Sequence, residues 1–120
     1  MSTADPLLQP FQLKHLRLKN RIISTSHEPA YSEDGLPKER YRLYHEEKAK
    51  GGIAMTMFGG STLVAPDSPP VFGNLYAGND KIIPHFQEMA DGVHKHGAAL
   101  MCQITHLGRR SVSNAGDWLP

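Results

Sequence analysis

The sequence predicts an α/β fold built on a parallel sheet, and three observations predict it. Three short runs rich in β-branched or apolar residues, at 21–26, 53–58 and 98–104, have the length of strands. Two segments with helical patterning, at 37–50 and from Pro84 onward, lie between them. Glycines punctuate the junctions at Gly51-Gly52, Gly59-Gly60 and Gly97. Strand, helix, strand, helix, strand is the order that parallel pairing through right-handed crossovers requires.

A small hairpin comes first. Phe11 and Leu13, then Leu16 and Leu18, alternate with polar residues around Lys14-His15, the pattern of two antiparallel strands joined by a tight turn. Asn20 leads into the first parallel strand, 21–26, which ends before Pro29. Asp34-Gly35 marks a turn. From 37 to 50 the residues are helix formers, with Tyr41 and Tyr44 at i,i+3 spacing and Glu46 and Lys50 at i,i+4, until Gly51-Gly52 stops the helix. The run 53–58 has no polar alternation, as a strand covered on both faces requires, and Gly59-Gly60 is expected to end it. Residues 61–79, with Pro66, Pro69 and Pro70, read as an ordered surface excursion. Pro84 suits the first turn of a second helix whose Phe86, Met89, Ala90 and Val93 share a face, with Gly97 as its stop. After the third run, 98–104, the sequence turns polar and loses periodicity. Three strands and two helices leave the second face of the sheet poorly covered, so the expectation is a partner that completes the sheet or a longer parent protein.

Composition removes several function classes. At 120 residues, 39% hydrophobic and 21% charged, the chain has the make-up of one globular domain. Thirteen Lys+Arg against twelve Asp+Glu leave a net charge of +1 and no basic stripe, so neither nucleic acid nor membrane is an expected partner. The apolar stretches fall far short of the roughly 20 residues of a membrane span, and Asp5-Pro6 interrupt a signal-peptide pattern, so a cytoplasmic location is expected. The single Cys102 supplies neither an internal disulfide nor a set of metal-binding thiolates, which points to an organic cofactor. His94 and His96 are the tightest histidine pair, but two apart on a helix they point about 200° from one another, as surface residues do. His45 with Glu46 and Glu47 reads as a solvated helix face. No G-x-G-x-x-G follows the first strand and no G-x-x-x-x-G-K-[ST] occurs, which argues against a nicotinamide Rossmann site and a P-loop.

In α/β folds ligands sit beyond the carboxyl ends of the parallel strands. Those ends carry Ser26-His27-Glu28, then Gly59-Gly60, then Gln103 with Thr105, His106 and Arg109. Small and polar residues gathered there, above apolar strand bodies, fit a cofactor pocket, although a packed strand end also tolerates them. Gln103 is the sharpest case, because a carboxamide near the end of an apolar strand needs a fixed partner. Its donor and acceptor match the ring edge of a flavin or similar heterocycle; a neighbouring loop backbone is the alternative. Arg109 and Arg110 fit either a carboxylate clamp or ordinary surface charge.

The segments LKNRII, KAKGGIAMTMFGGS and QITHLGRR, read together, resemble the N-terminal part of the old yellow enzyme family of FMN-dependent oxidoreductases. The resemblance covers nearly the whole chain: the hairpin, the Asn20-Arg21 entry, the Gly51-Gly52 stop, and Gln103, His106, Gly108 and Arg109 in the pattern Gln-x-x-His-x-Gly-Arg. His106 to Arg110 and SHEPAYSEDG look most like the trimethylamine dehydrogenase and 2,4-dienoyl-CoA reductase branch. Within it, the sequence is most similar to enzymes that demethylate N-methylated amino acids such as dimethylglycine and N-methylproline.

The resemblance implies a TIM-type (β/α)8 barrel of about 250 residues, of which residues 1–20 would form the N-terminal hairpin and 21–120 the first β-α-β-α-β units. It implies FMN at the mouth, with Ser26, His27 and Glu28 against the flavin, Gly60 and Gly59 admitting the ring, and Gln103 on its pyrimidine edge. His106 and Arg109 would stand on the substrate side, while the residues that protonate or deprotonate substrate would lie beyond Pro120. Glu28 stands where many relatives have Thr or a flavin-linked Cys, which excludes a covalent link at that position. The parent enzyme would oxidise an N-methyl carbon by hydride transfer to flavin N5, acting on a small molecule. A 4Fe-4S centre and FAD or NAD(P)H are expected of the long branch, with a homo-oligomer or an electron-transfer protein as partner. Two alternatives stay open, reduction of an activated C=C bond and a non-catalytic half-barrel.

Overall fold

The computed structural model describes residues 4–68 and 73–108. The alternation at 11–18 forms the expected hairpin: β1 (Phe11–Leu13) pairs antiparallel with β2 (Leu16–Leu18), Phe11 opposite Leu18. Lys14 turns the chain at a φ of +51°, and its carbonyl accepts from Gln12 Nε2 at 2.7 Å. The remaining strands, β3 (Ile23–Ser24), β4 (Met55–Leu63) and β5 (Ala99–Thr105), form one parallel sheet in that order. Ile23 lies beside Met55, and Met55 beside Ala99. Helix α1 (Glu39–Lys50) separates β3 from β4, and α2 (Ile83–His94) separates β4 from β5, so the predicted order of elements is the observed one.

Three details differ from the sequence expectation. The first parallel strand has two residues where six were expected. Asn20 shapes its approach instead: its Oδ1 accepts the Ile22 N–H at 3.0 Å while its Nδ2 donates to the Gly52 carbonyl at 2.7 Å. Gly59-Gly60 do not end the second strand but bulge it. The pairing passes from Phe58 beside Cys102 to Thr62 beside Ile104, so four steps along β4 match two along β5. The anticipated Glu46–Lys50 pair does not form. Glu46 turns to Arg42 and to Lys95 at 3.4 Å, and Lys50 meets Glu47 at 3.6 Å.

The sheet separates two packing zones. On the helical face, Tyr41, Phe58, Leu75, Ile82 and Met89 form the largest buried cluster, and Ala49, Val93 and Ala98 form a smaller one. Burying each large apolar side chain contributes about 1.5–3 kcal/mol relative to exposure. Toward the hairpin, Leu18, Ala54 and Met55 make a third cluster, with Leu16, Met57 and Ala99 half-buried against it. The run 53–58 is covered on both faces as expected, each residue buried or half-buried, while Ile23 on β3 and Met101 on β5 remain exposed, the thin cover of the second face that the sequence anticipates. His45 and Glu46 are buried, not on a solvated face. His45 Nδ1 meets Thr56 Oγ1 at 2.9 Å, so the helix closes over the buried Thr56 side chain of β4.

The excursion after β4 is tied back to its strand. Leu63 donates to the Leu75 carbonyl at 2.9 Å and accepts from Ala77 at 2.7 Å, and Ser68, Asn74 and Leu75 are buried. Pro69 and Pro70 lie outside the described residues. A 3-10 turn, Asp80–Ile82, then enters α2, with Asn79 Oδ1 accepting from the Lys81 N–H at 3.0 Å. Pro84 occupies the first turn of α2 as expected, and Met89 and Val93 are its fully buried positions.

Candidate functional site

The parallel register brings the carboxyl ends of β3, β4 and β5 together. Gln103, exposed near the end of β5, is held at both ends of its carboxamide: Ser26 Oγ donates to its Oε1, and its Nε2 donates to the Gly60 carbonyl at 2.6 Å. Three residues widely spaced in sequence thus meet through a single planar group. A carboxamide has two N–H donors and two lone pairs on its oxygen, so one donor and one acceptor site remain, side by side and fixed in orientation.

The bulge makes this possible. Gly59 has a φ of +93° and Gly60 of +43°, a region that side chains disfavour. Space excludes them as well. A Cβ on Gly59 would stand 2.2 Å from Thr62 Oγ1 and 2.9 Å from the Gln103 carbonyl, and one on Gly60 would stand 2.8 Å from both Glu28 N and Glu28 Cβ. Glu28 is therefore packed against Gly60 backbone. Its Oε1 accepts the Ala30 N–H at 3.0 Å, its Oε2 is shut off from solvent without a partner, and burial raises its carboxyl above the usual range, the Ala30 bond offsetting part of the rise.

The other predicted residues lie around this cluster. His27 is exposed, its ring 6.5 Å from that of Tyr44 on α1. His106 Nε2 meets Asp67 Oδ1 at 3.0 Å, and its Nδ1 accepts the Gly108 N–H at 2.9 Å, an arrangement that places the ring proton on Nε2. Nε2 thus joins the loop after β4 to the segment after β5, while the Nδ1 bond stays within that segment. Ser68 Oγ, accepting the Leu107 N–H at 3.0 Å, makes a second such tie. The His106 hydrogen bond holds the Asp67 carboxyl below the usual range. Arg109 lies outside the described residues.

Sequence reasoning missed Asp67, Ser68 and Tyr41. Tyr41 accepts the Gly59 N–H at 3.1 Å from the helical side of the sheet; its i,i+3 spacing with Tyr44 marked it as part of a helix and nothing more. Asp67 and Ser68 sit in an aperiodic loop, where no pattern distinguishes a tether from a solvated residue. Among the described residues no three His, Cys, Asp or Glu converge as metal ligands, and no helix is long and apolar enough to cross a membrane.

This chain is similar to known proteins over nearly all its length. It is 65% identical over 116 residues to a probable N-methylproline demethylase of Rhizobium meliloti (strain 1021), covering 97% of this chain and 17% of that protein. It is 56% identical over 119 residues to a multifunctional alkene reductase/demethylase OYE of Caballeronia cordobensis, covering 99% and 18%. The chain thus spans less than a fifth of the length of these curated relatives. Among solved structures, that of TcOYE with pHBA superposes with a TM-score of 0.78 at 26% identity, covering 89% of this chain and 29% of that one. The parallel strands, the two helices and the hairpin are accordingly part of a TIM-type barrel of the old yellow enzyme kind. Residues 6–117 match the family model across the strands and the site alike, and the chain belongs to the NADH:flavin oxidoreductase / NADH oxidase family.

Proposed function

We propose that the complete protein is an FMN enzyme that oxidatively demethylates an N-methylated amino acid. The observation that carries this reading is the Gln103 carboxamide, braced by Ser26 and Gly60 with one donor and one acceptor left over. That pair complements a flavin pyrimidine edge, where an imide N–H adjoins a carbonyl. The glycine bulge supports it indirectly, since without Cβ atoms at Gly59 and Gly60 the ends of β3, β4 and β5 pack closely enough for the Gly60 carbonyl to hold Gln103. The residues therefore fit FMN: Gln103, Ser26 and Gly60 with Gly59 as its frame, and Glu28 and His27 along the β3 end.

When bound, FMN supplies a two-electron acceptor for the hydride of the N-methyl carbon. This chain's part is to orient: Gln103 fixes the ring edge, and the Asp67–His106 tie fixes the loops on the substrate side. The substrate iminium left behind would be hydrolysed by water to the demethylated amine and formaldehyde. Residues 1–120 serve in this reading as part of the FMN barrel domain, hairpin first, in a cytoplasmic enzyme. A 4Fe-4S centre and an FAD or NAD(P)H site belong to the rest of the protein, together with an electron-transfer partner or a second copy as its associate.

The high identity to a demethylase supports the amine substrate. Reduction of an activated alkene is the second reading, favoured by the similarity to an alkene reductase/demethylase. Gln103→Leu in the complete protein should weaken FMN binding about tenfold to a hundredfold, from the loss of two hydrogen bonds. Unchanged flavin occupancy would overturn the assignment of Gln103. Anaerobic bleaching of the flavin by N-methylproline or dimethylglycine supports demethylation; reoxidation of the reduced flavin by enones, without such bleaching, supports the second reading instead.

A further inference from the structure

Just past the end of β4 at Leu63 the chain bends in a turn in which the Ser68 N–H donates to the Ala65 carbonyl at 3.1 Å. Pro66 occupies the second position of that turn, which its fixed φ suits. The turn delivers two neighbouring side chains to the segment after β5. Asp67 Oδ1 meets His106 Nε2 at 3.0 Å, and Ser68 Oγ accepts the Leu107 N–H at 3.0 Å. The backbone register of β4 and β5 ends with Leu63 beside Thr105, so side chains carry the pairing on where the strands have stopped. The returning limb of the excursion is anchored on the opposite side. There Ser32 Oγ, in the loop after β3, donates to the Gly73 carbonyl at 2.5 Å.

His106 has no ring nitrogen to spare. A backbone N–H can only donate, so the Gly108 bond at 2.9 Å makes Nδ1 the acceptor and leaves the ring proton on Nε2, where Asp67 accepts it. A ring held in this way cannot exchange a proton with substrate unless one of its ties breaks. Ser68 is committed as well, being fully buried although Pro66 and Asp67 beside it are exposed. A buried hydroxyl in an exposed turn marks a contact that the fold satisfies from within.

We propose that Asp67 and Ser68 are positioning residues that clasp the 106–108 turn on the substrate side of the site, and that His106 is a strut of this clasp and not a catalytic residue. The clasp begins at the first residue past β5, the strand that carries Gln103. A rim fixed by two ties is preformed for substrate, so its loss weakens substrate binding. Flavin binding, which draws on Gln103 and Gly60 instead, is left alone.

The proposal rests on the reading of the strand ends as a flavin site, and the test separates the two. Wild type, Asp67→Ala, Asp67→Asn, His106→Ala, Ser68→Ala and the Asp67→Ala/His106→Ala double variant of the complete protein are compared. The readouts are the FMN dissociation constant, the concentration dependence of anaerobic flavin bleaching by N-methylproline, and amide exchange at Leu107 and Gly108. Asp67→Ala and His106→Ala should each speed Gly108 exchange and raise the half-saturating amine concentration roughly tenfold, with FMN affinity within about twofold of wild type. The two singles should match in limiting rate, and the double should do no worse than the more damaging single. Asp67→Asn keeps an acceptor for the Nε2 proton and should restore most of the loss, while Ser68→Ala should free the Leu107 amide. A limiting rate about a hundredfold lower in His106→Ala than in Asp67→Ala would overturn the strut, since that is the scale of a lost proton-transfer group. Additive losses in the double, or wild-type Gly108 exchange in Asp67→Ala, would overturn the clasp. A wild-type protein that binds no FMN, or whose flavin the amine does not bleach, overturns the functional reading alone. The clasp is then decided by amide exchange, where non-additive effects of Asp67→Ala and His106→Ala uphold it and additive effects sink it.

Discussion

His45 shows how a helix can hide a titratable ring that its neighbours in sequence suggest is solvated. The side chain is fully buried, stacked on Tyr41 at 5.4 Å and edge-on to Tyr44 and Phe58 at 5.1 and 6.0 Å. Its Nδ1 meets Thr56, while Nε2 has no partner. Burial first, then the charges of Lys48 and His27, lower its pKa from 6.5 to about 4. The unfolded chain therefore takes up the proton before the folded one does. Stability from this site is complete above the unfolded value and drains away as pH falls toward the folded one, at about 1.4 kcal/mol per pH unit and about 3 kcal/mol in all. We expect the melting temperature of the complete protein to fall between pH 7 and pH 5, and to fall less steeply in His45→Gln. Parallel pH slopes for the two proteins would refute this.

Between elements, the closest approach of α1 to α2 depends on one small residue. A Cβ on Gly92 would stand 1.9 Å from Glu46 Oε1. The carboxylate cannot simply swing aside, because Arg42 and Lys95 hold it from both sides and it is nearly buried. Burial opposes its ionisation, but the hydrogen bond and charge of Arg42, with help from Lys95, win and set its pKa below the ordinary 4.5. That contribution is present above the usual carboxylate range and is lost as pH drops through the lowered value. Gly92→Ala should destabilise the protein by about 1–3 kcal/mol, the range of overpacking and broken ion-pair contacts. Adding Glu46→Ala should recover part of the loss, because it removes the clash partner. Thermal melts of the two variants at pH 7 check both statements; a Gly92→Ala melt equal to wild type would disprove the steric account.

For the molecule as a whole, the described residues leave apolar surface open on the hairpin side of the sheet. Phe11, Leu13, Leu18, Arg21, Ile23 and Met55 line a shallow cavity there, and Phe11, Leu13, Ile23 and Met101 are each at least 40% exposed. Contiguous apolar surface of this kind is normally covered by more protein. The 120-residue chain made by itself should bind 8-anilinonaphthalene-1-sulfonate strongly, self-associate as its concentration rises, and show no flavin-dependent turnover. Sedimentation and dye fluorescence test this. A monomer with a sharp unfolding transition would count against it, and with it against the half-barrel reading of the isolated chain.

Much of the fold was legible because its signals are local. The hairpin alternation at 11–18, the helix formers of α1 up to Gly51-Gly52, the apolar face of α2 and the strand run of β5 each depend on neighbours within a few residues, and each appeared where expected. The strand-end rule likewise led to Ser26, Gly60 and Gln103, since a parallel sheet places the ends of its strands together whatever the loops do. What escaped the sequence depends on residues far apart along the chain. The bulge that carries β4 past Gly59-Gly60 follows from the register with β5, and the burial of His45 from Thr56 on the opposing strand. Glu46 leaves Lys50 because Lys95 arrives from another helix, and Tyr41 acquires a site-side role because Gly59 presents its amide across the sheet. Local spacing determined which elements form and which end of the sheet carries the candidate site. The tertiary structure alone decided which polar groups meet there, because a hydrogen bond of about 3 Å is set by packing and not by distance along the chain.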